Sequence, residues 1–441
     1  MAPGLGNGGR GEEGTATFRL SLMMFLQYAV WGAWLPVAAL FLGTPQDQGG
    51  LGFTGGQIGM ILGLAGSIGA ISAPFIAGQL ADRYFRTERF LAFLLIIGGL
   101  VKWYTSLQTE YVAWVWLSIV YGIVFIPTLA LSNSIAFAHI RDPDREFPKV
   151  RVWGTIGWIA ASWSFPMLYL KLDVDPWWMR VFLGGPEVEG VTSRLVESLK
   201  FSAIVSWVYA GYCFLLPATP PKRQGVEKLA FAKAFRLLRR PSFAVLVLAS
   251  MAVATIHQVY FMQTSPFFKT LGIPASQIGP AMTIAQFAEI AMMVALGWML
   301  KRFGFRWVMF LGCTAYLARY AVWGTSSLPV WLMIASQALH GMCYACFFAA
   351  SFIYVDRIAD EDVRHSAQTV YGIMILGGGP VLGGLLSGWL GEAFTPAGGE
   401  LNYSSFWYAI AAIGLVTALL FVTFFRDETQ SDNGKSIAAS V

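Results

Sequence analysis

The sequence predicts an all-α integral membrane protein, with twelve transmembrane helices in two six-helix bundles. Three observations carry that prediction. Of 441 residues, 56% are hydrophobic and only 12% charged, where a soluble domain carries about 25% charge. The apolar residues gather into twelve runs long enough to span a bilayer, for which roughly 20 are needed. The Lys and Arg residues lie overwhelmingly on one side of those runs, as the positive-inside rule requires.

The chain opens on a Gly-rich polar stretch, 1–17, expected to be a disordered cytoplasmic N-terminus. It lacks the basic start, short apolar core and cleavage site of a signal peptide, so the first apolar run is expected to stay as a signal-anchor helix. The runs fall at about 18–42, 57–80, 89–107, 112–138, 151–170, 200–217, 242–264, 277–300, 307–325, 329–355, 366–391 and 404–425. Each must be helical, because lipid offers no partner to free backbone N–H and C=O groups. Six runs form an N-terminal bundle, 18–217, and six a C-terminal bundle, 242–425, with a tail at 426–441. The linker, 218–241, starts with prolines and holds seven basic residues. Its stretch from Leu229 to Arg240 reads equally as an amphipathic helix on the inner membrane face or as a solvated connection.

With the N-terminus inside, 23 of the 30 Lys and Arg residues fall on the inner side and five on the outer. Both termini are therefore expected in the cytoplasm. Lys102 and Arg319 are left within spans, read as snorkelling cations or as pairs inside one bundle, with no chemistry assigned. The net charge of +5 is spread over short loops, which points to orientation rather than nucleic-acid binding. Cys213, Cys313, Cys343 and Cys346 all lie in apolar runs and read as packing residues, with neither a disulfide framework nor the second ligand pair of a zinc site. No cofactor is implied.

The eighth run holds the deepest acid. Glu289 lies near its middle, with Gln286 one helical turn earlier on the same face. A carboxylate at that depth costs a few kcal/mol unless it faces protein or water. It reads as a proton-binding group beside a polar substrate, or as a buried acid hydrogen-bonded for packing. His257 and His340 are further candidates for carrying a proton, since histidine titrates near neutral pH. Packing is the competing reading for each.

An internal repeat supports the division into halves. Gly78-Gln-Leu-Ala-Asp82-Arg83 follows the second run, and Gly297-Trp-Met-Leu-Lys301-Arg302 follows the eighth. The first copy resembles the loop 2–3 signature of the major facilitator superfamily. More specific strings narrow the resemblance. Gln27-Tyr-Ala-Val-Trp31-Gly32-Ala-Trp34, Pro127-Thr128-Leu-Ala-Leu-Ser-Asn133, Phe147-Pro-Lys-Val-Arg151-Val-Trp153-Gly154-Thr155-Ile-Gly157-Trp158 and Gln286-x-x-Glu289 resemble the bacterial nucleoside:proton symporter family of that superfamily. The resemblance covers essentially the whole chain.

It implies a major facilitator fold, a monomer in the bacterial inner membrane lipid bilayer, and nucleoside uptake coupled to protons by alternating access between the halves. It implies nucleoside binding by Arg151, Thr155, Trp158, Gln258, Gln286, Glu289 and Tyr344, with Glu289 also coupling the proton. Glutamines donate and accept at once, and aromatic faces stack on bases. Competing readings stand beside these: an inner-leaflet anchor for Arg151, packing for Thr155 and Trp158, an interhelical bond for Gln258. The sequence departs from the family at Ala345, where an acid is expected, at Phe261, where a second amide is expected and Gln263 offers a substitute, and at His340, where a tyrosine is expected. A sugar or glycoside:proton symporter of the same fold is the alternative. An enzyme is disfavoured, because neither H-E-x-x-H nor G-x-S-x-G is present. The Gly-rich run at Gly377–Gly384 lacks the Lys-Ser/Thr of a phosphate loop.

Overall fold

A computed structural model describes residues 8–73, 76, 84–220, 236–359 and 364–429. The Gly78–Arg83 copy of the repeat and residues 221–235 of the linker lie outside the described residues. Within them the chain is helical, with no strand.

The helices are α1 (Gly8–Gly32, continued by Leu35–Gly43), α2 (Gly55–Ala73), α3 (Thr87–Thr105), α4 (Tyr111–His139), α5 (Pro143–Tyr169) and α6 (Glu197–Tyr212). They continue as α7 (Pro241–Thr270), α8 (275–303), α9 (305–324), α10 (Val330–Ile358), α11 (364–393) and α12 (Tyr403–Phe424). α1 begins earlier than the expected start at residue 18.

Local chemistry sets several ends. α2 opens with a capping box: Thr54 Oγ1 accepts from Gln57 N at 3.3 Å while Gln57 Oε1 accepts from Thr54 N at 2.9 Å. Asp142 caps α5 by accepting from Arg145 N, with Pro143 at the first helical position. Asn402 caps α12 through Ser405 N. α8 and α9 form an almost unbroken rod divided only at Gly304, whose φ of 73° is one that glycine adopts at no steric cost.

Nine helical segments among the described residues are long and apolar enough to cross a membrane. One of them, Ala275–Gly324, contains both α8 and α9. The two expected spans outside this set are α3 and α5. α3 carries Glu88, Arg89 and Lys102, and α5 has a polar, Pro-containing start. The twelve helices are thus reached by adding these two.

The chain divides into two compact units. Unit 1 comprises residues 1–51, 68–225 and 275–279; unit 2 comprises 52–67, 226–274 and 280–441. Each half of the chain therefore gives one piece to the other unit: most of α2, residues 55–67, belongs to unit 2, and the first turn of α8 to unit 1.

Unit 1 is built on the contact of α1 with α5. A Cβ at Gly157 would lie 2.0 Å from Phe25 O, so only glycine permits this approach. Serine hydroxyls lock the remaining helices: Ser202 Oγ donates to Val30 O at 2.7 Å and Ser206 Oγ to Leu95 O at 2.9 Å. In unit 2, α8 meets α10 at Gly341, where a Cβ would come within 2.3 Å of Ala288 C. The π-helical stretches Met60–Leu64, Cys343–Ala349 and Met374–Gly378 fall in unit 2. Such bulges leave backbone carbonyls without their regular partners.

Candidate functional site

In unit 1, three sequence strings meet. Gln27 of α1 is fully buried and its Nε2 donates to Thr128 Oγ1 of α4 at 2.8 Å. Thr128 in turn donates to Phe125 O at 2.5 Å. Arg151 of α5 lays its guanidinium 4.1 Å from the Tyr28 ring centroid, a cation–π contact. Arg151 is half-buried. Trp158, 8% exposed, meets Trp31 edge-on at 6.0 Å, and Trp31 meets Phe125 at 6.1 Å. Thr155 lies between Arg151 and Trp158 on the same helix and is buried. Positions 151, 155 and 158 follow the 3.6-residue period, so one face of α5 presents a cation, a hydroxyl and an indole beside α1.

In unit 2 the expected residues sit on α7, α8 and α10. Gln258 donates through Nε2 to Leu62 O at 3.2 Å. Leu62 lies inside a π-helical stretch of α2, so the glutamine supplies a donor to a carbonyl in the irregular turn. Gln286 is 8% exposed, and its Oε1 is buried with no hydrogen-bond partner among the described residues. A buried amide oxygen left bare costs about 1–3 kcal/mol, so this group is primed to accept a donor. Glu289 is half-buried, and its backbone packs on Gly341 of α10. Tyr344 falls in the π-helical stretch of α10, its ring 6.0 Å from Phe348.

Gln263, the substitute considered for the second amide, is committed elsewhere. It donates to Ser387 Oγ at 2.9 Å and accepts from Tyr403 Oη at 3.3 Å. Ala345 is fully buried and contributes no charge.

The sequence reads Arg319 as snorkelling or as pairing inside its own bundle; it is fully buried, and its partners among the described residues lie within its own unit. Nη1 donates to His340 Nδ1 at 2.6 Å and Nη2 to Tyr320 Oη at 2.8 Å. Its guanidinium carbon stands 4.3 Å from the Tyr260 ring and 4.7 Å from that of Tyr320. Lys102 in unit 1 is also buried, its Nζ 3.1 Å from the Trp34 ring centroid. The signal was available in part: an aromatic-rich chain with two cations inside spans invites cation–π cages.

Comparison with known proteins follows the same lines. A family model described as nucleoside H+ symporter matches residues 15–430. A putative nucleoside transporter of Escherichia coli, YegT, is 32% identical over 95% of this chain and 95% of its own length. The xanthosine permease of Escherichia coli is 27% identical over 92% of this chain and 95% of its own. The solved structure of the nucleoside transporter NupG matches with a TM-score of 0.77 at 24% identity, over 93% of this chain and 99% of that one. A D-xylose-proton symporter matches with a TM-score of 0.69 at 14% identity, over 93% and 98%. At these identities the two structures speak to the fold, that of the major facilitator transporters.

Proposed function

Because the chain belongs to the nucleoside H+ symporter family, we propose that it takes up nucleosides together with protons by alternating access, and that its two clusters of polar and aromatic side chains bind the nucleoside. The observation that carries this reading is the convergence in unit 1 of α1, α4 and α5 on Gln27, Tyr28, Thr128, Arg151, Thr155 and Trp158. A nucleoside joins a flat base to a hydroxyl-rich ribose. Trp158 supplies a face for the base, while Arg151 and Thr155 supply donors. In unit 2, Gln286 offers an unused acceptor, Gln258 its amide oxygen and Tyr344 a ring. Cargo of this kind moves unchanged, so no enzymatic step is involved.

Glu289 is the acid assigned to coupling. A half-buried carboxyl changes its proton affinity when its access to water changes, which is what alternating access brings about. The protein acts as a monomer in a bacterial inner membrane with both termini in the cytoplasm; the asymmetry of Lys and Arg supports that orientation.

The test is uptake into proteoliposomes across a panel of nucleosides and sugars, with and without an imposed pH gradient. Labelled uridine and adenosine are expected to accumulate only with the gradient, and sugars not to compete. Competition by sugars would favour the sugar:proton alternative. Glu289→Gln is expected to abolish proton-driven accumulation. Undiminished uphill uptake in that variant would remove Glu289 from coupling.

A further inference from the structure

His257 of α7 precedes Gln258, and its surroundings give it a role that the assigned residues do not cover. The ring is half-buried. Nδ1 is engaged with Tyr316 Oη at 2.8 Å, while Nε2 has no hydrogen-bond partner among the described residues. Phe261 and Phe348 meet the imidazole edge-on at 5.3 and 5.2 Å, and Phe348 continues to Tyr344. His257 is thus the polar centre of an aromatic wall that includes a proposed binding residue.

Its other face stacks on His340, with centroids 5.1 Å apart. Arg319 fixes the state of that partner. A guanidinium has donors only, so the 2.6 Å bond makes His340 Nδ1 an acceptor and places its single proton on Nε2. His340 is therefore neutral, and a permanent cation stands behind the stacked pair. A neutral imidazole held by a fixed guanidinium is a poor carrier of a further proton.

We propose that His257 is a nucleoside-contacting residue that hydrogen-bonds a ribose hydroxyl through Nε2, and that Arg319 is the positioning residue that keeps the stacked His340 neutral behind it. The proposal rests on the nucleoside reading above. Ribose is the matching group because both partners are amphoteric. Tyr316 Oη can donate to Nδ1 or accept from it, so Nε2 can donate or accept as the hydroxyl requires. Base edges carry donors and acceptors in fixed places and gain less from such a group.

The experiment compares uridine with 2′,3′-dideoxyuridine in reconstituted wild type, His257→Gln and His257→Phe. Wild type is expected to prefer uridine. His257→Phe should raise the KM for uridine on the order of tenfold, leave dideoxyuridine nearly unchanged and so erase the preference; His257→Gln, which keeps an amphoteric group, should retain most of it. Absence of nucleoside uptake in wild type would overturn the functional reading itself. Normal uptake with an unchanged KM in His257→Phe, or an equal loss for both substrates, would overturn only this proposal.

The positioning role has its own readout. The titratable or charged groups around His340 are His257 and Tyr260 from α7, Glu289 from α8, Tyr316, Arg319 and Tyr320 from α9, and Cys343 one turn along α10. Arg319→Gln removes the donor that fixes the His340 tautomer behind His257 and should therefore reduce the preference for uridine over 2′,3′-dideoxyuridine; a preference as large as that of wild type would remove Arg319 from the positioning role. In the wild-type background, His340→Gln should leave both the shape of the pH profile and the protons moved per nucleoside unchanged. A change in either would show that the histidines carry protons and would overturn the proposal.

Discussion

Lys102 and Arg319 occupy the same place in the two halves of the sequence, each on the third helix of its half, and each is buried among aromatic rings without a carboxylate partner among the described residues. They are held differently. The Lys102 ammonium lies over Trp34 and Tyr121, 3.1 and 4.0 Å from their centroids, with no hydrogen bond to it among the described residues. Arg319 stacks on tyrosines and at the same time donates from its edge to His340 and Tyr320. The difference follows from shape. A planar guanidinium separates its faces from its donors, whereas an ammonium is a point charge whose donors compete with the ring for the same space. One half therefore keeps a cation that organises a polar network, and the other a cation that only fills a cage.

That contrast is broken most directly by removing each charge. Arg319→Met deletes two charge-assisted hydrogen bonds, at about 1.5–3 kcal/mol each, and is relieved of the cost of burying a charge. A net loss of about 3 kcal/mol in the unfolding free energy of the detergent-solubilised protein is expected. A variant as stable as wild type would mean that the network contributes nothing.

Next in size come the glycines that set the helix contacts on which the two regions depend. Gly341→Ala forces a methyl group against the backbone of Ala288 and Glu289, and Gly157→Ala forces one against Phe25 O. Overpacking of this kind costs about 1–3 kcal/mol. The two should differ in function: Gly341→Ala is expected to disturb proton coupling, because it displaces the turn carrying Glu289, while Gly157→Ala is expected to raise the nucleoside KM. Comparing proton-driven accumulation with exchange in each variant distinguishes them, and identical defects would undo the distinction.

The smallest effect is expected at Lys102. Replacing it with Met loses cation–π attraction of about 2 kcal/mol when desolvated but also removes a buried charge, so stability should stay within about 1 kcal/mol of wild type. A loss as large as that of Arg319→Met, read from the same unfolding curves, would erase the proposed difference between the cages.

Much of the fold was legible before the structure. The spans at α4, α7 and α12 announce themselves by hydropathy, because lipid selects composition residue by residue. α3 and α5 are less apolar: Glu88 accepts from Thr219 N, Lys102 lies over Trp34, and Arg151 lies over Tyr28. The candidate site was legible as strings but not as a cluster. Gln27 and Thr128 were each visible in a motif, yet their bond spans 101 residues. The commitment of Gln263 to Ser387, 124 residues away, could not be read from its neighbours.

The sequence by itself determined that this chain lives in a bilayer, where its helices run and which family it resembles. Those properties depend on local composition, on the sign of charge in short loops and on residues adjacent in the chain. Only the tertiary structure decided that Arg319 is caged rather than snorkelling, that Leu62 O takes the Gln258 amide, and that Gln286 keeps an acceptor in reserve. Inside a membrane protein a polar group is satisfied or left bare by whichever helix packs beside it, and that choice is made by contacts between residues far apart in sequence.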